Sequence, residues 1–230
     1  MLKGLKVDVC AANKMLINSN LVILTWGNVS QYYESEKMVV IKPSGVPYDE
    51  LTPEKMVAVD LDGKVLEGKL KPSSDTITHI EIYKNFPEIK SIVHTHSTWA
   101  TIWCQMGVDI PVLGTTHADD FGGRIPCTRG LTELEVNTDY EKNTGKVIVD
   151  KMNLIDKKMY AILVKNHGPF VFGKTPIDAV NKAIVLEQVA KMAWYTCCNG
   201  FTSASEIPEY LIQKHFERKH GNNSYYGQKK

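Results

Sequence analysis

Ser91-Ile92-Val93-His94-Thr95-His96-Ser97 joins two apolar β-formers to a polar His-Thr-His ending. Ile92 and Val93 predict a buried strand that gives way at the histidines. Alternate side chains of a strand share a face, so His94 and His96 point the same way. With a rise of about 3.3 Å per residue, their Cα atoms lie roughly 6.5–7 Å apart. Two imidazoles on that base can each reach a metal at about 2.0–2.1 Å. The plainer alternative is a pair of surface histidines, because His-x-His is short enough to arise by chance.

Working outward, the polar run Lys71-Pro72-Ser73-Ser74-Asp75-Thr76 opens a helix through about Phe86, and a short helix over Thr98 to Met106 follows the histidines. Apolar runs predict further strands at Leu21–Leu24, Met38–Ile41, Pro111–Gly114, Tyr160–Val164 and Phe170–Phe172. Val57 to Leu66 alternates around Asp62-Gly63, the pattern of a hairpin with a type I′ turn. Thr52-Pro53-Glu54 starts a helix, with Thr52 as N-cap. Helical spacing covers Leu2 to about Asn18, Thr138 to about Lys151, and Ile207 to His220. Thr175-Pro176-Ile177-Asp178 begins a long helix that Gly200 ends. Strands interleaved with helices predict one layered α/β domain over residues 1–230. Its central sheet is mixed, largely antiparallel, and flanked by helices.

Composition narrows the function. Hydrophobic residues make up 43% of 230, enough for a sizeable core. Lys+Arg is 27 against Asp+Glu 26, which gives no reason to expect nucleic acid. No apolar run approaches the roughly 20 residues that span a bilayer, and the first residues lack the apolar core of a signal peptide. The five cysteines form no C-x-x-C pair, so they read as free thiols of a cytoplasmic protein.

His167, in Lys165-Asn166-His167-Gly168-Pro169, sits at a third strand ending. Three neutral imidazoles at strand ends make a metal site with open coordination, and Asp75 is a candidate fourth group. Ser44-Gly45 and Ser73-Ser74 each follow Lys-Pro. Such small residues let backbone N–H groups approach an anion, although ordinary turns use the same residues. Asp119, in a Gly/Thr-rich loop, is a candidate acid or base; a solvated turn residue is the alternative. Tyr225 and Tyr226 stand in an otherwise polar tail, where a tyrosine can pack on a neighbouring subunit.

Assembled, these stretches resemble the L-ribulose-5-phosphate 4-epimerase branch of the class II (zinc-dependent) aldolase family. The marks are Leu24-Thr25-Trp26-Gly27-Asn28-Val29-Ser30, Ile41-Lys42-Pro43-Ser44-Gly45-Val46, Lys71 to Thr76, His94-Thr95-His96-Ser97, Gly114-Thr115-Thr116-His117-Ala118-Asp119, Ile125-Pro126-Cys127-Thr128-Arg129, His167-Gly168-Pro169-Phe170, and Lys219-His220-Gly221 with Tyr225-Tyr226-Gly227. The resemblance runs nearly end to end. It implies zinc on His94, His96 and His167, with Asp75 nearby or bound. Gly27, Asn28, Ser44, Gly45, Ser73 and Ser74 would hold a sugar-phosphate substrate. Asp119 would be one acid/base and Tyr226, from a neighbouring subunit, the other. A homotetramer with sites at subunit interfaces would follow, with Glu141 and His215 supporting. The implied reaction interconverts L-ribulose 5-phosphate and D-xylulose 5-phosphate by breaking and re-forming C3–C4; arabinose or ascorbate breakdown would be its pathway. Two departures matter. Asp120 follows Asp119 where relatives often carry an aromatic residue. Asp75 stands where the aldolase branch has glutamate, which favours epimerase over aldolase. A non-catalytic interaction module, as in the adducin head, is the remaining alternative.

Overall fold

The computed structural model describes residues 2–155, 159–198, 204–222 and 224–226. Seven strands form one sheet: β1 (Asn28–Tyr33), β2 (Met38–Ile41), β3 (Val57–Asp60), β4 (Val65–Glu67), β5 (Ser91–His94), β6 (Ala161–Leu163) and β7 (Pro169–Gly173). Their order is β4-β3-β2-β1-β5-β7-β6. Every strand pair is antiparallel. Parallel pairing among the described residues is confined to the isolated bridge Cys127–Leu163. Among the described residues the α-helices are α1 (Leu2–Asn18), α2 (Thr76–Asn85), α3 (Thr98–Met106), α4 (Thr115–Phe121), α5 (Glu133–Asn153), α6 (Pro176–Cys198) and α7 (Glu209–His220).

β5 is central, and its two apolar residues serve different layers. Val93 joins the core that α1, α3 and α6 build on one face, while Ile92 joins the core that α2 and α5 build on the other. A strand buried on both faces needs a continuous apolar run, which is what Ile92-Val93 supplies. The register sets His94 opposite Asn28 on β1 and Phe170 on β7. One row across the sheet therefore ends in three residues from distant parts of the chain.

Several expectations are corrected. Leu21–Leu24 is not a strand: Leu21 and Val22 are buried, but Leu24 turns outward with φ +55°, and β1 starts only at Asn28. The run was apolar because half of it anchors a turn. The hairpin between β3 and β4 forms, but among its turn residues only Gly63 has positive φ, so the turn is not type I′. Pro53–Lys55 is a single 3-10 turn, and Thr52 makes no side-chain cap. Pro111–Gly114 forms no strand; Ile110 bridges Ile125 instead. Asp119 lies on α4, not in a loop. The last helix starts at Glu209, behind Pro208. Gly200, expected to end α6, lies outside the described residues.

The α5 helix begins at Glu133, earlier than expected, behind a capping box between Thr132 and Glu135. It kinks at Asp139 (φ −142°, ψ 73°), next to the expected start at Thr138. Gly145, inside this helix, has a packing reason. A Cβ there would stand 2.6 Å from Glu81 Cβ and 3.1 Å from the Thr78 carbonyl, so glycine lets α5 lie close on α2.

Candidate active site

His94 ends β5 and is buried, stacked on Phe170 with ring centroids 4.3 Å apart. Its Nδ1 lies 3.0 Å from the Pro169 carbonyl and donates to it. That bond leaves Nε2 with a free lone pair, the tautomer a metal ligand needs. His96 lies two residues past the strand, and its Nε2 is 3.1 Å from His94 Nε2. The segment is held from behind. Glu187 of α6 accepts the N–H groups of Trp99 and Ala100 at 2.9 and 3.0 Å, capping α3. His167 stands on the tip of the β6–β7 hairpin, closed by Val164 N–H to the Gly168 carbonyl at 3.0 Å and His167 N–H to the Val164 carbonyl at 3.0 Å. Asn166 takes φ +62° to make that tip.

One donor nitrogen from each histidine falls within 4.8 Å of the others. The three form a metal-binding group. The donor set fits a divalent cation: His167 Nδ1 is buried with no hydrogen-bond partner, and the Nε2 atoms of His94 and His96 face each other at 3.1 Å. Burial, reinforced by His94, pulls His167 down to about 3 and His96 below its usual value. These rings are therefore neutral at pH 7, as ligation requires.

Gly168 fixes the distance between hairpin and strand. A Cβ there would meet the Thr95 carbonyl at 2.5 Å, His96 Cδ2 at 3.1 Å and His94 Cε1 at 3.3 Å. Gly168→Ala is expected to push the hairpin off the two other rings and lower metal affinity by about tenfold or more, at a folding cost of about 1–3 kcal/mol. Elemental analysis with a melting curve checks this; full metal retention would contradict it.

The histidines open into a cleft of about 380 Å³. Gly27, Asn28, Ser44, Gly45, Ser73, Ser74 and Asp75 all line it. Two turns far apart in sequence are stitched together there: Ser44 N–H donates to the Lys71 carbonyl and Ser73 N–H to the Lys42 carbonyl, both at 3.0 Å. Pro43 and Pro72 form the bridge between them. The repeated Lys-Pro-Ser is thus a pair of facing turns. Asn28 ties them to the acid, donating from Nδ2 to Ser73 Oγ at 3.0 Å and to Asp75 Oδ2 at 2.7 Å. Asp75 lies outside the converging nitrogens. Burial works to raise its carboxyl, but His94, His79, His167 and the Asn28 amide together hold it below the ordinary value.

Lys42, Trp26, Tyr140 and Glu141 also line the cleft. Lys42 is 2% exposed, and burial pulls its amine down to about 8 against the opposing charge of Asp75. Its Nζ donates to the Thr25 and Pro43 carbonyls at 3.2 and 3.4 Å and lies 4.9 Å from the Tyr48 ring centre. A desolvated ammonium with so few acceptors favours an anionic ligand. Its sequence signal was present: a lysine directly after the fully apolar β2. Tyr140 gave no such signal and Glu141 was reached only through the resemblance; both line the cleft just past the kink at Asp139.

Asp119 and Tyr226 do not line this cleft among the described residues. Both instead contact Arg218, where α4 packs on α7. Asp119 accepts from Arg218 at 2.8 and 2.6 Å, and His215 Nδ1 is 3.0 Å away. The Tyr226 ring lies 5.0 Å from the Arg218 guanidinium. Asp120 is buried and paired with Lys219 at 2.6 Å, so the two aspartates are structurally distinct. Gly227 lies outside the described residues.

Fold and site together define a class: a cleft at the ends of the central strands, with three histidines facing a stitched pair of turns. The chain belongs to the family of the Class II Aldolase and Adducin N-terminal domain, whose model matches residues 7–194. It is 51% identical to L-ribulose-5-phosphate 4-epimerase UlaF of Salmonella paratyphi B (strain ATCC BAA-1250 / SPB7), over 99% of this chain and 100% of that one. It is 52% identical to the protein of the same name from Salmonella paratyphi C (strain RKS4594), with the same coverage. Among solved structures, an L-fuculose 1-phosphate aldolase superposes with TM-score 0.79 at 24% identity, over 94% of this chain and 95% of that one. YgbL from Klebsiella pneumoniae, a putative aldolase/epimerase/decarboxylase, superposes with TM-score 0.75 at 21% identity, over 93% and 98%. These two likenesses establish the fold. No described helix is long and apolar enough to cross a membrane.

Proposed function

We propose that the chain is an epimerase that interconverts L-ribulose 5-phosphate and D-xylulose 5-phosphate by breaking and re-forming the C3–C4 bond. The observation that carries this is the single cleft where the three-histidine group faces Asn28, Lys42, Ser44 and Ser73, in a chain half identical end to end to proteins of that name. The ion is proposed to be zinc, held by His94, His96 and His167 with the Asp75 charge beside it. When bound there, a divalent cation would supply Lewis-acid stabilisation for the negative charge that develops on the substrate.

C4 is not adjacent to the C2 ketone, so its hydrogen is not acidic and simple deprotonation cannot invert it. Removing the C4 hydroxyl proton instead lets the C3–C4 electron pair pass to the three-carbon fragment as an enediolate. Glycolaldehyde phosphate is the other fragment. Its aldehyde turns, C3 re-attacks the opposite face, and the new C4 alkoxide takes a proton. Proton transfer on two faces needs two groups. Asp119 and Tyr226 fill these roles from a neighbouring subunit, which brings their α4–α7 face to the cleft of this chain. Glu141 and His215 support that junction. Residues 1–230 act as one unit, with the tail 221–230 packed against the neighbour in a homotetramer. Lys42, Asn28 and the Gly27, Ser44-Gly45 and Ser73-Ser74 backbone hold the phosphate, so the aldehyde fragment turns without leaving. The five free cysteines suit a reducing cytoplasm.

Incubation with L-ribulose 5-phosphate tests this. Xylulose 5-phosphate is expected to appear, to stop with a chelator and to return with zinc. Net accumulation of glycolaldehyde phosphate would make the chain an aldolase. No turnover with bound zinc would make it a non-catalytic module.

A further inference from the structure

The α4–α7 face carries a residue that no sequence motif singled out. Arg218, in the last turn of α7, touches both proton-transfer groups of the proposed reaction. Its Nε donates to Asp119 Oδ1 at 2.8 Å and its Nη2 to Oδ2 at 2.6 Å, a fork spanning both carboxylate oxygens. Its carbonyl accepts the Tyr225 and Tyr226 N–H groups at 3.0 and 3.1 Å, which folds the tail back over the helix end. The returning Tyr226 ring then covers the guanidinium, 5.0 Å from its centre. Asp119 and Tyr226 are remote in sequence and lie on separate elements. Without a common partner, the distance between them would follow the position of the tail.

We propose that Arg218 is a positioning residue that holds Asp119 and Tyr226 as one preassembled unit, setting their separation before that unit meets a neighbouring cleft. The claim rests on the reading of those two as the acid/base pair. Nearby charges leave Arg218 free for this task. Lys219 lies 5.9 Å from the same Tyr226 ring but pairs with Asp120 at 2.6 Å rather than with Asp119, and His215 approaches the same Asp119 oxygen at 3.0 Å without reaching Tyr226. Both charged side chains are partly buried, Asp119 at 15% exposure and Arg218 at 26%, so the fork is partly sheltered from water. Its value lies in the fixed planar geometry of the fork, which lysine cannot reproduce.

Arg218→Lys in the full-length, zinc-loaded enzyme separates positioning from charge. It is expected to lower kcat by about 10- to 100-fold, the usual cost of misplacing a reacting group, and to leave KM within about threefold. Oligomer size and zinc content stay unchanged. In an Asp119→Asn background the same replacement is expected to cost less than about threefold, because the carboxylate it orients is gone. Rescue is absent with lysine, although the charge is kept. Should Arg218→Lys fail to assemble, Arg218→Gln is measured in the same way. An unchanged kcat overturns the proposal, and so does a rise in KM at constant kcat, which would make Arg218 a substrate contact. A loss repeated in full on Asp119→Asn also overturns it. If Asp119→Asn and Tyr226→Phe themselves keep their kcat, the acid/base reading falls and takes this proposal with it. If those two lose activity while Arg218→Lys does not, only the role of Arg218 falls.

Discussion

His96→Ala abolishes tight metal binding and lowers turnover by on the order of a hundredfold or more, because one of three donors is gone and no described carboxylate stands among the other two to replace it. The geometry explains the size of the effect. His94 is oriented by the Pro169 carbonyl and His167 by its hairpin, so neither can swing to compensate. Two neutral imidazoles with nitrogens 3.1 Å apart are a poor arrangement without a cation between them. The fold itself should survive, since His96 is past the end of β5 and exposed to the cleft. Two measurements check this. Elemental analysis should show the variant depleted of metal. Added zinc should raise the melting temperature of the parent but not of the variant, because a ligand stabilises only the state that binds it. A variant with full metal and normal turnover would remove His96 from the site.

Tyr226→Phe is expected to cut epimerisation by about 10²- to 10⁴-fold, the usual contribution of a positioned acid or base, with metal content unchanged. The ring keeps its place over Arg218, so only the hydroxyl is lost. The cleft of the same chain retains every histidine, which makes a complementation experiment decisive. Tyr226→Phe subunits have an intact cleft, and His96→Ala subunits have an intact tail. Dissociated and reassembled together, they should recover activity that neither shows alone, since some sites pair a good cleft with a good tail. No recovery in proven mixed assemblies would mean that tail and cleft of one chain work together, against the proposed sharing between subunits. An unchanged rate for Tyr226→Phe alone would reject its acid/base role.

The local chemistry of this chain was readable without coordinates wherever short-range physics is strong. Ile92-Val93 predicts a strand because continuous apolarity suits burial on both faces, and β5 is that strand. Pro176 and the acid at Asp178 announce α6 through cap chemistry that acts within one turn. The three histidines could be picked out because each follows an apolar run that ends abruptly. Where the sequence misled, apolarity had two possible uses: Leu21 and Val22 plug a turn with the same residues that would build a strand.

Only the tertiary structure brings His167 to His94, through the β5–β7 register, and stitches Ser44 to Ser73 through the Pro43–Pro72 bridge. It alone moves Tyr140 and Glu141 into the cleft by a kink and hands both Asp119 and Tyr226 to Arg218. The reason is physical. Helices, caps and buried strands are decided by neighbours within a few residues, whereas a binding site is decided by which distant segments share one sheet row, and that depends on packing across the whole core.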